Sequence, residues 1–222
     1  QERAHIMNTK KIYSLFKKLD ISNIVITESL NPDRTYGKLT LEKNIVIDNN
    51  SEDQTVEIAE KNGAKVIRKN ENKGYSHSLV MGLNEALKTN ANIIGATEAD
   101  GTFNAYDLEK MYPYLNNCDM VIGSRQNQVI SEKGNQNSGF YVWANFFLAK
   151  LIQIKYLSLK HMGIVNLTDV GCVYRLMKRD SLEKIVEKLT YQGSDKPIGG
   201  VGIGLYLTMT GVENDLKIIE IH

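Results

Sequence analysis

Short runs of apolar, β-branched residues recur along the chain, separated by stretches whose apolar positions fall three and four residues apart. The runs Asn23 to Thr27 (NIVIT) and Asn44 to Asp48 (NIVID) are apolar and β-branched as buried parallel strands are, and Ala64 to Arg68 (AKVIR), Asn92 to Thr97 and Asp119 to Gly123 read as further strands. Between them lie amphipathic stretches with helical spacing. Thr9 to Leu19 carries Ile12, Leu15, Phe16 and Leu19 on one face. Ser51 to Lys61 turns Val56, Ile58 and Ala59 inward and stops at Gly63. Ser76 to Lys88 aligns Leu79, Leu83, Ala86 and Leu87, and Asp107 to about Tyr114 is cut short by Pro113. Strands alternating with helices at this spacing predict an α/β domain, a mostly parallel, doubly wound sheet with helices on both faces.

After Arg125 the pattern loosens. A polar loop to Ser138 leads into Phe140 to Leu159 (FYVWANFFLAKLIQIKYLSL), then a return segment Asn166 to Lys178, a helix near Ser181 to Leu189, a glycine-rich stretch and a last strand from Leu216 to Ile221. Within 140–159, Phe140, Trp143, Phe147, Leu151, Ile154 and Leu157 fall near helical spacing, while Asn145, Lys150, Gln153 and Lys155 interrupt the apolar run. This predicts an amphipathic helix rather than a spanning one. Such a stripe most often packs on its own domain; a membrane surface or a dimer partner would cover it equally well. The stretch Gly199 to Gly204 (GGVGIG) lacks the strand–turn–helix setting of a dinucleotide fingerprint and reads as a loop or a close helix contact.

Composition narrows the function. The chain has 222 residues, 42% hydrophobic and 24% charged, with 3 Pro, which excludes disordered and low-complexity classes. Lys and Arg number 27 against 26 Asp and Glu, so bulk charge gives no reason to expect a nucleic-acid partner and any anion site must be local. Cys118 and Cys172 form no CxxC pair and suit a reducing compartment. His5, His77, His161 and His222 show no metal-ligand spacing. Gln1 to Ile6, ahead of Met7, read as residues of the expression vector, and 7–222 as one domain.

In open α/β sheets ligands bind beyond the carboxyl ends of the strands. Three strand ends there carry chemistry: Asp48-Asn49-Asn50-Ser51, Glu98-Ala99-Asp100-Gly101 and Gly123-Ser124-Arg125. Glu98 and Asp100, two apart on extended backbone, point to one side and offer hard oxygens to Mg²⁺ or Mn²⁺. Asp48 can accept from a base or ribose, with Asn50 beside it, although Asp48 to Ser51 also reads as a helix-capping turn.

These blocks, in this order, resemble the family 2 glycosyltransferases of GT-A fold, and among them the dolichyl-phosphate mannose or glucose synthase branch. VIDNNSEDQTVEIAEKNGAKVIRKNENKGYSHSLVMGLNEA from Val46, EADGTFNAYDLEKM from Glu98, DMVIGSR from Asp119 and TDVGCVYRLMKRDSL from Thr168 carry the resemblance. It implies that Asp48 binds the uracil or guanine base or its ribose. Lys73 and Gly74 would close on the nucleotide, and Glu98 and Asp100 would hold metal and sugar nucleotide. It also implies that Arg125 and Arg175 contact phosphate or acceptor, and that Asp169 lies near donor sugar or acceptor. The family's opening strand signature is not recognisable around Ile24, Asn49 stands where a second aspartate is usual, and Glu98 where the first metal-site aspartate is usual. The chain stops at His222, ahead of the basic motif of relatives, as an excised catalytic domain would.

The resemblance implies transfer of a hexose from a UDP- or GDP-sugar to a polyprenyl (dolichyl or undecaprenyl) phosphate, metal-dependent and inverting, at the cytoplasmic face of a membrane. A dianionic phosphate acceptor needs no strong base. A hydroxyl acceptor would need one, with Asp169 the candidate. From another class, the chain could be a noncatalytic sugar-nucleotide-binding domain.

Overall fold

In a computed structural model of the chain, the residues described are 24–30 (backbone only), 44–98, 103, 107–124, 139–157, 167–169 and 171–221. The helix expected over Thr9 to Leu19, the loop before Ser138, Asp100, Arg125 and His222 lie outside them. In chain order the elements are β1 Ile24–Leu30, β2 Asn44–Asp48, α1 Thr55–Lys61, β3 Lys65–Arg68, α2 Tyr75–Leu87 and β4 Ile93–Glu98. There follow α3 Asp107–Met111, β5 Met120–Gly123, α4 Gly139–Lys155, β6 Arg175–Lys178, α5 Arg179–Ile185, α6 Ile203–Glu213 and β7 Ile218–Ile221.

One seven-stranded sheet runs β3-β2-β1-β4-β6-β5-β7. Every pair is parallel except those of β6, which is antiparallel to both β4 and β5. β2 is buried along its whole length, and β4 and β5 nearly so, as strands covered on both faces are; the run AKVIR instead forms the edge strand β3, with Lys65 and Arg68 exposed and Val66 and Ile67 only half-covered. The apolar stripe of α2, with Leu79, Val80, Leu83 and Ala86 buried, packs on β1 and β2.

Several expected boundaries move for identifiable reasons. The first described helix begins at Thr55, not Ser51, because Asp48 to Ser51 closes its own turn; Ile58 is exposed rather than inward. Gly63, at φ +84°, ends that stretch as its sequence position predicts. Ahead of Pro113 the α-helix stops at Met111 and continues as a 3₁₀ turn, Tyr112–Asn116. The glycine-rich stretch opens a helix, α6, that the sequence reading did not anticipate. Gly204 is there because a Cβ would lie 3.1 Å from the Gly171 carbonyl and 3.3 Å from that of Cys172.

The largest departure is α4. The helix forms, but Phe140, Trp143, Phe147, Leu151, Ile154 and Leu157 are all exposed, Trp143 at 58% and Ile154 at 70%. Ala149, Ile152 and Gln153 are buried instead. The aromatic stripe therefore does not pack on its own domain.

Candidate active site

The strand order 3-2-1-4 places a topological switch at β1, since the chain winds outward to β2 and β3 and then returns to β4 on the other side. Ligands of open α/β sheets occupy the crevice at that point, beyond the carboxyl ends. Leu30 of β1 pairs with Asp48, and Ser29 with Glu98. The two acids thus end strands flanking β1 at one edge, roughly 10 Å apart at about 4.8 Å per strand.

Asp48 is 0% exposed. Its carboxylate accepts the Ser51 backbone N–H at 3.1 Å and the Ser51 hydroxyl, and the Arg68 guanidinium stands 3.4 Å away. Asp48 thus closes the turn, as the capping reading expects, with its carboxylate turned in on Ser51 and Arg68. Asn50 follows at φ +69°, a left-handed conformation that Asn tolerates. Asn49 and Asn72 join by their side-chain amides, and Asn49 Oδ1 accepts the Lys73 backbone N–H at 3.2 Å. That lacing ties the β2 turn to the Lys73–Gly74 loop, so Asn49 works as a brace where an aspartate would add charge. Lys73 Nζ donates to Asp195 at 3.0 Å, and its ammonium is stabilised chiefly by that bond. His77 is mostly covered and also meets Asp195, at 3.2 Å.

Glu98 is half-buried at the tip of β4. The Tyr75 hydroxyl is buried and has no hydrogen-bond partner at bonding distance among the described residues; burial, and after it the Glu98 charge, hold the phenol protonated. Glu98 fits a hard divalent cation by chemistry and position. Among the described residues no three acidic, His or Cys side chains gather as a ready cage.

Asp169 lies 2% exposed at the end of the loop before β6. Its Oδ1 accepts from Asn145 of α4 at 2.9 Å and from the Gly171 N–H at 3.2 Å. Glu220 of β7 accepts from Thr168 N–H at 2.6 Å, Thr168 Oγ1 at 2.9 Å and Asp169 N–H at 2.7 Å. Burial pushes the Glu220 carboxyl up, against the pull of these donors. Sequence reasoning missed both supports. The signals were an amide inside the aromatic run FYVWANFF and a lone acid inside the apolar run Ile218 to Ile221.

Arg175 corrects its expected role. It is 0% exposed, and its guanidinium donates to the carbonyls of Val173, Cys172 and Gly204 and to Thr208 Oγ1. A buried fork engaged by three carbonyls and a hydroxyl cannot reach a phosphate; Arg175 braces the start of β6 against α6.

Comparison with known proteins agrees with this architecture. A model of glycosyl transferase family 2 matches residues 34–186, more than half of the chain. An uncharacterized protein of Methanocaldococcus jannaschii is 38% identical over 111 residues, covering 46% of this chain and 45% of that protein, so the match spans less than half of the curated relative. Glucosyl-3-phosphoglycerate synthase from Mycobacterium tuberculosis, solved with Mn²⁺ and UDP-glucose, superposes with a TM-score of 0.57 at 15% identity, over 99% of this chain and 74% of that one. The same synthase with Mn²⁺, UDP and glucosyl-3-phosphoglycerate gives 0.56 at 13%, over 99% and 75%. These likenesses establish a GT-A-like fold.

Proposed function

The chain belongs to glycosyl transferase family 2, and from that premise we propose that it transfers a hexose from a nucleoside-diphosphate sugar to a polyprenyl phosphate, as the dolichyl-phosphate sugar synthases do. The observation that carries the acceptor reading is α4: its outer face is apolar and exposed while Asn145 on its inner side holds Asp169. Trp143 and Phe147 stack at 5.3 Å, and Lys150 lies over the Phe146 ring, on a helix with no acidic residue. An aromatic, basic helix of this kind beds into a bilayer interface, where a lipid-linked phosphate resides. Among the described residues no helix is long and apolar enough to cross a membrane. The reading places the protein on the cytoplasmic face of a membrane as a peripheral enzyme.

The acceptor phosphate oxygen attacks the anomeric carbon as the bond to the nucleoside diphosphate breaks, inverting that centre. Asp48 and Asn50 stand at the nucleoside end of the edge, and Lys73 and Gly74 close over it. Glu98 and Asp100 would hold Mg²⁺ or Mn²⁺, which when bound neutralises the leaving diphosphate. Mn²⁺ with UDP in the Mycobacterium tuberculosis synthase supports both the metal and a UDP donor. Asp169 orients donor sugar or acceptor, and Arg125 meets the acceptor phosphate, a task from which burial removes Arg175.

The test presents UDP- and GDP-hexoses with Mn²⁺ to undecaprenyl phosphate, 3-phosphoglycerate and a simple glycoside. Labelled sugar is expected in the lipid fraction. Transfer to phosphoglycerate alone would replace the lipid by the soluble phosphorylated acceptor of the Mycobacterium tuberculosis synthase. Asp169→Asn is expected to slow transfer modestly; near-complete loss would identify a general base and a hydroxyl acceptor. Nucleotide binding without turnover on any acceptor would mark a noncatalytic domain.

A further inference from the structure

Lys69 leaves β3 at the same edge as Asp48, to whose carbonyl its own backbone N–H donates at 3.0 Å. Its side chain is folded inward, 7% exposed, and its ammonium reaches the Gly74 carbonyl only at 3.4 Å. The Asp48 carboxylate is near enough to act on it, yet is engaged by Ser51 and Arg68. Lys73 adds a second positive charge, itself held by Asp195 and Glu71. Directly above, α2 begins at Gly74, φ +83°, with no capping side chain and no acid in its first turn. The partial positive charge of that helix end therefore goes uncompensated within the turn. Burial first, and Lys73 second, push Lys69 down to about 8, with Asp48 opposing. An ammonium withdrawn from water without a well-bonded anion is costly. Set beside a second lysine and a helix N-terminus that carries no acid of its own, its first turn met from outside only through His77 by Asp195, it suits an oxyanion.

We propose that Lys69 is a donor-binding residue whose ammonium receives a phosphate oxygen of the nucleoside diphosphate beneath the first turn of α2. The proposal rests on the reading of this edge as the nucleotide-sugar site. A bound phosphate draws a proton onto Lys69, so binding near pH 8 takes up protons and weakens as pH rises toward 9.

The test is calorimetric titration of UDP and GDP, with MnCl₂, into wild type, Lys69→Met and Lys69→Gln, in buffers of different ionisation enthalpy. Both variants are expected to bind at least about tenfold more weakly, the loss of a charge-assisted bond, and to lose the proton uptake. Lys69→Met is expected to melt no lower than wild type at pH 7, because it relieves a buried charge. Equal affinity and an unchanged pH profile in both variants would overturn the proposal. If wild type binds neither nucleotide, inorganic pyrophosphate decides. Lys69-dependent binding of pyrophosphate would keep the anion site and discard the nucleotide reading, and no binding would overturn both.

Discussion

Arg175 illustrates how one side chain's depth fixes its chemistry. Its guanidinium bridges the strand start at Val173 and Cys172 to Gly204 and Thr208 of α6, and burial lowers its pKa without removing its charge. Lysine offers a point charge in place of a planar fork. Arg175→Lys should therefore leave several carbonyls unsatisfied and cost about 2–4 kcal/mol, read from urea unfolding, while the folded fraction retains nucleotide binding. The motif around Thr168 announced an arginine here; what it could not announce was which oxygens the fork meets. A fork matches carbonyls as readily as phosphates, and only α6, hidden in a glycine-rich stretch without helical stripe, decides between them. The capping turn of Asp48 was legible for the converse reason: it is local, written within four residues.

At the scale of elements, the period of apolar residues located α4 but not the side that faces inward. Its exposed apolar residues spread over roughly 200° of the circumference at about 100° per residue, wider than the stripe of about 100° that a single packed neighbour covers. Small Ala149, branched Ile152 and the Gln153 amide, which donates to Leu167 O at 2.7 Å, supply the packed side. Periodicity gives no warning of this, because Phe and Trp are the stronger core formers by area. The chain has one tryptophan, Trp143, so its emission reports this face alone. It should shift to the blue with phosphatidylcholine vesicles carrying phosphatidylglycerol. The double substitution Phe147→Ser with Ile154→Ser should abolish the shift and change unfolding stability by no more than about 0.5 kcal/mol, as surface changes do.

Over the whole molecule, Glu220 joins distant parts of the chain: β7 grips the Thr168–Asp169 turn, which α4 grips from its other side through Asn145. Glu220→Ala strips three donors of their acceptor and should cost about 2–3 kcal/mol. Because the folded pKa of Glu220 is raised, its protonation favours the fold below the ordinary value of 4.5, and that contribution is lost as pH rises through the raised value. Melting temperatures followed across that interval should show the step in wild type and not in Glu220→Ala. Such ties join residues about 50 apart and leave no local spacing to read, whereas the parallel half of the sheet was legible because each strand announces itself.

The antiparallel placement of β6 also bears on how the chain becomes folded. On a ribosome, β1 to β4 emerge as a contiguous parallel unit with α2 already able to cover it. β5 must wait without a sheet neighbour until β6, some fifty residues later, arrives to wedge between it and β4. Folding of the second half is thus committed by long-range closure, and the nascent chain exposes the bare edge of β4 for that interval, the period in which a chaperone would have most to protect.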